Sequence, residues 1–278
     1  MKNSTFFVEN EDLLSIINSN FKKIDNIKKI STGWTNIVFE IKNNNISYIL
    51  RFPRNDFFSK QIEKDIIINQ FLKNEINLKT TNMQIAYDKG RPYSIHQKIE
   101  GCALTEKINF LSKKEIEKIT SEIAEFFTTI HNISINKIPE ISKIKLSKFL
   151  TDLSKVDDNY YDYSDLIHLD KNEEKEKVFC HGDLNIGNII LDENNNINAF
   201  IDFAFASIST RIADLSRISC RVSNDFLNTI IKKYEKINSL TVDMNELQRC
   251  NSMWKYIEEQ YIIYMKKYQP EIKLPKGL

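Results

Sequence analysis

The 278-residue sequence is poor in glycine, with only six, and it lacks several features that mark particular classes of protein. No run of about 18 apolar residues is present, so the sequence has no candidate transmembrane helix. Lys and Arg number 39 against 38 Asp and Glu, and a net charge of +1 is not the basic excess of a nucleic-acid binder. Met1 to Asn10 has no charged segment followed by an apolar core. We therefore expect no signal peptide and a cytoplasmic protein.

Closely paired cysteines are also lacking. Cys102, Cys180, Cys220 and Cys250 are scattered, whereas zinc ligands usually occur in closely spaced pairs. Without an export signal, we expect four free thiols. Hydrophobic residues make up 41% of the chain and charged residues 28%, a composition typical of a globular protein and not of a disordered one.

Apolar periodicity divides the chain into a strand-rich amino-terminal half and a helix-rich carboxy-terminal half. Residues 11–30 are predicted to contain a helix, and a second one is expected at about 57–73. The strands are predicted at 35–41, 48–52 and 93–99. A capping box at Ser112 and Glu115 begins a helix that continues to His131, and the chain beyond about 212 has mostly helical periodicity.

This order of elements predicts an α+β fold with two lobes. The first lobe is expected to span 1–100 and to bind a nucleotide. The second is expected to span 101–278 and to carry the catalytic and substrate-binding residues. The junction is predicted near Glu100 to Ala103.

One stretch of the second half concentrates residues suited to phosphoryl transfer. Residues 180–188 read CHGDLNIGN, and Ile-Asp-Phe follows at 201–203. Asp183 and Asn188 can place a carboxylate and an amide oxygen around one small volume, and a turn at 192–196 brings Asp202 back to them. Two oxygen ligands beside a free carboxylate suit Mg²⁺, and that carboxylate can orient and deprotonate a hydroxyl.

His-Gly-Asp-x-x-x-x-Asn followed by Ile-Asp-Phe resembles the aminoglycoside phosphotransferase/choline kinase family of small-molecule kinases. The resemblance implies a bilobal protein-kinase-like fold, with ATP or GTP in a cleft between a small β-rich lobe and a larger helical lobe. It implies that Asp183 is the catalytic base and that Asn188 and Asp202 hold Mg²⁺. His181 would be structural, and Asp214 would brace the loop from a helix start.

In the first lobe the resemblance points to nucleotide-binding residues. Gly33 lies between two predicted strands, where the family has a short loop over the phosphates, although a plain hairpin would have the same sequence. Arg51 occupies the strand position whose Lys or Arg contacts the α- and β-phosphates in the family. Its acidic partner on the following helix is predicted to be Glu63, with Asp65 as the alternative.

Residues 93–99 resemble the inter-lobe strand whose backbone pairs with a purine edge. Ile95 and Gln97 are the predicted contacts. The sequence of this strand does not distinguish an ATP site from a GTP site.

The acceptor is predicted from weaker signals. Residues 157–174 hold seven acids against one lysine, which is either a solvated face or a binding surface for a cationic acceptor. Glu258 and Glu259 on the late helix have the same two interpretations. An aminoglycoside-like antibiotic is the first prediction, and a metabolic acceptor such as choline, a sugar, homoserine or a fructosamine is the alternative. A third hypothesis is a nucleotide-binding protein without catalysis. We expect no nucleic-acid or membrane partner.

Overall fold

The computed structural model describes residues 10–30, 35–76, 80–156 and 161–268. The predicted phosphate-loop residue Gly33 lies outside the described residues. The strands are β1 (Asn26–Ile30), β2 (Asn36–Asn43), β3 (Ile46–Pro53), β4 (Gln84–Asp88), β5 (Arg91–Gln97), β6 (Cys102–Ala103), β7 (Val178–Cys180), β8 (Ile189–Leu191), β9 (Ile197–Phe200) and β10 (Ser207–Ser209). The α-helices are α1 (Asn10–Asn20), α2 (Asp56–Ile76), α3 (Leu104–Lys107), α4 (Lys113–His131), α5 (Leu146–Val156), α6 (Ser164–Lys171), α7 (Arg211–Arg217), α8 (Asn224–Asn238) and α9 (Met244–Tyr268).

The amino-terminal lobe is built on an antiparallel sheet with the strand order β1-β2-β3-β5-β4. Alternating apolar residues of β2 and β3, among them Phe39, Ile41 and Leu50, are buried against α1. The β2–β3 turn has positive φ at Asn44 (50°) and Asn45 (64°), which asparagine tolerates better than most residues and which suits a tight hairpin. This hairpin places Arg51 at a fixed point of β3.

The carboxy-terminal lobe is mainly helical, and its core gathers the apolar faces of α4, α5, α7, α8 and α9. The predicted capping box begins α4, because Glu115 N donates to Ser112 Oγ while the Glu115 carboxylate accepts from Ser112 N. Buried residues of α2 also join this core. Helix α2 therefore ties the amino-terminal sheet to the helical lobe, and the division of the chain near residue 100 stays a prediction.

Two small antiparallel sheets in the helical lobe hold the predicted motif. Strand β7 pairs with β10, and β8 pairs with both β6 and β9. The motif loop runs from β7 to β8, and the β8–β9 hairpin closes through Asp192, whose Oδ1 accepts the N–H groups of Asn194 and Asn196. This hairpin returns the chain to the loop, as the sequence predicts.

The remaining differences from the predicted elements lie in the first lobe. The helix within 11–30 ends at Asn20, and the same stretch also contains β1. Strand β4 was missed, because its Ile85 and Tyr87 are exposed at the sheet edge and give no buried apolar alternation. Among the described residues, no helix combines the length and apolar character needed to cross a membrane.

Candidate active site

The motif loop is anchored at its base by Asp214, in the first turn of α7. Its two carboxylate oxygens accept the backbone N–H groups of His181 (2.8 Å) and Gly182 (2.9 Å). Gly182 has a φ of +79°, and a Cβ added there would lie 2.2 Å from the carbonyl oxygen of Phe205. Only glycine fits this close approach without displacing the backbone of residues 203–205. The helix start thus braces the loop in the manner implied by the resemblance.

Asp183 and Asn188 are joined within the loop. Asn188 Nδ2 donates to the carbonyl oxygen of Asp183 at 2.9 Å, which leaves the amide oxygen Oδ1 as the atom suited to ligate a cation. The carbonyl oxygen of Asn188 accepts from Ile201 N at 3.0 Å, directly before Asp202. His181 adds a further link, because its Nε2 lies 3.2 Å from the Ile201 carbonyl oxygen. The structure therefore brings Asp183, Asn188 and Asp202 close together.

Asp202 holds an unusual backbone conformation for a residue with a side chain. Its φ is 68°, in the left-handed region, and its side chain is 34% exposed. Such strain is uncommon for a non-glycine residue and is often kept at functional sites. One carboxylate oxygen, Oδ1, lies 3.4 Å from Arg51 Nη2, so Asp202 is turned into the space between β3 and the motif loop.

Arg51 pairs with Asp65 and not with Glu63. Arg51 Nη1 lies 2.5 Å from Oδ2 of Asp65, which is completely buried on α2. The other oxygen, Oδ1, accepts from Phe203 N at 2.8 Å and from Asn69 Nδ2 at 2.7 Å. Glu63 instead lies 3.5 Å from the hydroxyl of Tyr87 on the outer side of α2. The prediction that Glu63 is the partner of Arg51 is therefore wrong. Two residues along a helix turn the side chain by about 200°, so Glu63 and Asp65 lie on nearly opposite faces of α2.

The charges in the site are coupled. Burial raises the pKa of Asp183, Arg217 opposes that rise, and the nearby Asp202 carboxylate adds to it. Burial alone would lower the pKa of Arg51, but Asp65 and Asp202 more than offset it and the net shift is upward. Arg51 therefore stays charged between two carboxylates, which suits a residue that meets phosphate groups.

The predicted purine contacts on β5 separate into two kinds. Lys98 N donates to Ser47 O, so Lys98, directly after β5, forms a hydrogen-bonded pair with Ser47 of β3. Hydrogen-bonded and non-hydrogen-bonded pairs alternate along antiparallel strands, so the next pair, Gln97 with Tyr48, is a non-hydrogen-bonded one. The N–H and C=O groups of Gln97 therefore point away from β3, on the side where β4 ends at Gln84. Ile95 has the same orientation but faces Gln84 within the sheet. Of the two predicted residues, Gln97 has the backbone groups that lie beyond the end of β4.

Sequence reasoning missed the group of residues that surrounds the Asp183 carboxylate. Arg217 Nε donates to Asp183 Oδ1 at 2.7 Å, and Glu258 and Trp254 of α9 lie against Arg217. The available signal was the spacing of Asp214 and Arg217, three residues apart on one helix, because this places both side chains on one face. Once Asp214 is assigned to the loop, Arg217 one turn later is expected to reach it too.

Helix α9 otherwise packs as part of the core of the helical lobe. Trp254 and Glu258 are buried and face α7, whereas Tyr256 is exposed. A cavity of about 700 Å³ opens on the Tyr256 side of α9, and Asp162 and Asp165 contribute to its lining. Residues 157–160 of the predicted acidic stretch lie outside the described residues, and the cavity lining includes no residue of the motif loop. Asp170, from the same acidic stretch, is buried and accepts from Ser209 Oγ at 2.6 Å.

Residues 26–239 match the family described as the phosphotransferase enzyme family. The chain belongs to this family. The resemblance to small-molecule kinases drawn from the motif is thereby confirmed at the level of the family.

Individual relatives are more distant. A probable choline kinase 3 from Arabidopsis thaliana is 35% identical over 69 residues, which cover 25% of this chain and 20% of the plant protein. A GDP and kanamycin complex of an aminoglycoside phosphotransferase shares the fold with a TM-score of 0.71 and 17% identity, over 94% of each chain. Macrolide 2′-phosphotransferase type I matches with a TM-score of 0.65 and 13% identity, over 96% of each chain. These matches confirm the predicted bilobal kinase-like fold.

The donor atoms of this phosphotransferase-family site fit a magnesium ion. Asp202 supplies a partly exposed carboxylate, and the hydrogen bond of Asn188 Nδ2 leaves an amide oxygen, so both candidate ligand atoms are hard oxygens. A second cluster has potential metal-ligand atoms, in His131, Cys180 and Asp214. There Asp214 is already engaged by the loop N–H groups, and His131 Nδ1 lies 2.8 Å from the Tyr234 hydroxyl. Hydrogen bonds within the protein account for that second cluster.

Proposed function

We propose that this protein is a Mg²⁺-dependent phosphotransferase that moves the γ-phosphoryl group of ATP or GTP to a hydroxyl of a small molecule. The observation that carries the proposal is the convergence of Asp183, Asn188 and Asp202 beside Arg51. Family membership supports the reaction class. We further propose that the reaction takes place in the cytoplasm, where nucleoside triphosphates are available.

The site residues divide the work of the reaction. Asn188 and Asp202 would hold Mg²⁺, which when bound neutralises charge on the phosphate oxygens. Arg51, held by Asp65, would contact the phosphates, and the backbone of Gln97 would meet the purine edge. Asp183 would orient the acceptor hydroxyl and accept its proton as the new O–P bond forms. The bond from the γ-phosphorus to the β,γ-bridging oxygen breaks, and the nucleoside diphosphate leaves.

An aminoglycoside-like acceptor is the first candidate. It is supported by solved neighbours whose complexes contain kanamycin, streptomycin or gentamicin. Asp162 is exposed and offers negative charge to a cationic molecule on one side of α9, whereas Asp165 is paired with Arg249 at 3.5 Å. Glu258 is not available for that purpose, because it is buried and its Oε1 accepts from Arg221.

A metabolic acceptor is the second candidate. The stretch of 35% identity to a probable choline kinase favours it, as does the balance of two arginines against Asp183 and Glu258 around the base. A surface on which positive and negative charges balance gives a polycation no net attraction. This charge balance therefore favours an uncharged acceptor such as a sugar, and it does not favour choline, which carries a positive charge.

The test is a phosphoryl-transfer assay with purified protein, ATP or GTP labelled on the γ-phosphate, and a panel of aminoglycosides, macrolides, choline, sugars, homoserine and fructosamines. Phosphorylated product that requires Mg²⁺ and disappears in Asp183→Asn supports the proposal. Glu125→Gln, an exposed change on α4, serves as the control and should retain activity. Tight nucleotide binding without a phosphorylated product from any acceptor would instead favour the non-catalytic hypothesis.

A further inference from the structure

The environment of the catalytic aspartate contains an ion-pair chain that the motif does not account for. From Asp183 it runs through Arg217 and Glu258 to Arg221, and it links the motif loop to the carboxy-terminal helix α9. The four side chains are between 8% and 21% exposed. Ion pairs so well shielded from water are stronger than surface pairs, and their geometry is more strongly defined.

The first link occupies half of the Asp183 carboxylate. Arg217 Nε donates to Oδ1 at 2.7 Å, so Oδ2 is the oxygen left for an acceptor hydroxyl. One face of α7 therefore contacts the motif loop through two residues, one turn apart. Asp214 fixes the backbone of residues 181 and 182, and Arg217, one turn further, fixes the side chain of 183.

Arg217 is itself positioned by α9. Its guanidinium carbon lies 5.1 Å from the ring centroid of Trp254, and the Trp254 indole N–H donates to Ser216 Oγ at 3.1 Å. Its Nη1 lies 3.6 Å from Glu258 Oε2. Glu258 is held from the other side, because Oε1 accepts from both Nε (2.8 Å) and Nη2 (2.6 Å) of Arg221.

Two buried atoms of the ion-pair chain lie too far apart for a hydrogen bond with each other. They are Arg217 Nη1 and Glu258 Oε2, the two atoms that face each other across 3.6 Å. The contact of Arg217 Nε with Asp183 Oδ1, at 2.7 Å, is shorter. Arg217 is therefore bound more closely to Asp183 than to Glu258.

We propose that Arg217 is a positioning residue, which fixes the Asp183 carboxylate for the acceptor hydroxyl, and that α9 sets its place through Glu258 and Trp254. The inference rests on the proposed phosphotransferase function. It assigns to the carboxy-terminal helix a role in phosphoryl transfer through a residue that touches the base. Arg217 acts on the orientation of Asp183 and not on nucleotide binding.

The activity test compares Arg217→Met, Arg217→Lys and Glu258→Gln with the control Glu125→Gln, an exposed change on α4. We expect Arg217→Met to lower kcat about 10- to 100-fold while the KM for nucleotide changes less than about twofold. Arg217→Lys should recover part of the loss, and Glu258→Gln should lower kcat in the same direction by a smaller factor. The double variant Arg217→Met/Glu258→Gln should be no slower than Arg217→Met, because Glu258 acts through Arg217.

An unchanged or higher kcat in Arg217→Met overturns the inference, as does a kcat in the double variant that equals the product of the single losses. A lower melting temperature with unchanged kcat for the folded fraction would show a merely structural role, and it too overturns the inference.

A second measurement needs no activity and separates this inference from the proposed function. Urea unfolding is measured for the single variants Asp183→Asn and Glu258→Gln and for the double variant that combines them. The same three changes are then measured in the Arg217→Met background. We expect the two midpoint shifts to be non-additive when Arg217 is present and additive when it is absent. Additive shifts in both backgrounds would contradict the coupling. Absence of phosphoryl transfer by the wild type with non-additive shifts would defeat the proposed function while leaving the Asp183–Arg217–Glu258 coupling in place.

Discussion

One carboxylate oxygen of Asp65 binds Arg51, and the other accepts the backbone N–H of Phe203, the residue that follows Asp202. A single buried side chain on α2 therefore connects the candidate phosphate-binding residue of β3 to the candidate metal-binding segment. Buried apolar residues of the same helix also belong to the core of the second lobe.

The first prediction concerns this connection. Asp65→Asn keeps the shape of the side chain but removes the charge that holds Arg51, and it leaves Arg51 paired with Asp202 alone. We expect nucleotide affinity to fall about 10- to 100-fold, which corresponds to about 1.4–2.7 kcal/mol. Titration calorimetry with ATP and GTP measures this loss. Glu63→Gln, two residues away on the outer side of α2, is the matched control and should bind nucleotide as the wild type does.

The second prediction concerns the base. Asp183→Asn retains the size of the side chain but cannot accept a proton, so turnover should fall by about 10²- to 10⁴-fold. Nucleotide binding should remain within about threefold, because Arg51, Asn188 and Asp202 are untouched. A kinetic assay on the best acceptor from the panel, with parallel calorimetry, separates the two effects. Equal losses in turnover and nucleotide affinity would argue against a role confined to the acceptor.

The third prediction compares two glycines with almost the same backbone. Gly90 and Gly182 have φ values of +80° and +79°, but a Cβ at Gly90 meets nothing within 4 Å. Gly90→Ala should therefore cost only the strain of the left-handed region, about 1–2 kcal/mol. Gly182→Ala must also move the Phe205 carbonyl, and we expect about 4 kcal/mol or more. Equal urea midpoints for the two variants would show that the loop is not packed against residues 203–205.

The fourth prediction concerns pH. Lys64 is buried on α2 with its Nζ 4.8 Å from the centroid of the Phe149 ring, and burial lowers its pKa to about 7, although Asp65 opposes the shift. Between this value and the ordinary pKa of 10.5, the unfolded chain binds a proton that the native state does not, so stability attributable to Lys64 rises with pH. Below pH 7 Lys64 is protonated in both the native and the unfolded state, so its buried ammonium lowers the free energy of unfolding by the full amount.

Lys64→Met removes the buried ammonium and should raise the melting temperature at pH 7 by about 2–6 °C. The gain should shrink towards pH 10, where the wild-type lysine is neutral at little cost. Calorimetric melting at both pH values measures the difference, and Lys60→Met, exposed on the same helix, is the control. A gain of the same size at both pH values would show that Lys64 does not titrate in the native state.

The sequence predicted the motif loop well because its information is local. Asp183 and Asn188 lie within one loop, and the turn that returns Asp202 is closed by Asp192 and the residues next to it. The β2–β3 hairpin was predictable for the same reason, since the asparagines of its turn accept positive φ.

What the sequence did not reveal depends on contacts between distant segments. The choice of Asp65 over Glu63 is decided by which face of α2 meets β3 and residues 203–205, and an isolated helix pattern does not determine that face. The contact of Arg217 with Asp183 joins residues 34 positions apart, and Glu258 lies 41 positions beyond Arg217. The edge strands β1 and β4 were missed because exposed edges lack the alternation that identifies a half-buried strand.

The central proposal is that Asn188 and Asp202 hold the magnesium ion of a magnesium–nucleotide complex beside Asp183. The most direct measurement is a calorimetric titration of ATP and GTP into wild type and Asp202→Asn, each with Mg²⁺ and with chelator. We predict that Mg²⁺ strengthens binding to the wild type at least about tenfold and that Asp202→Asn abolishes this difference. Nucleotide binding that is equally strong in all four conditions, or absent from the wild type with Mg²⁺, would contradict the account.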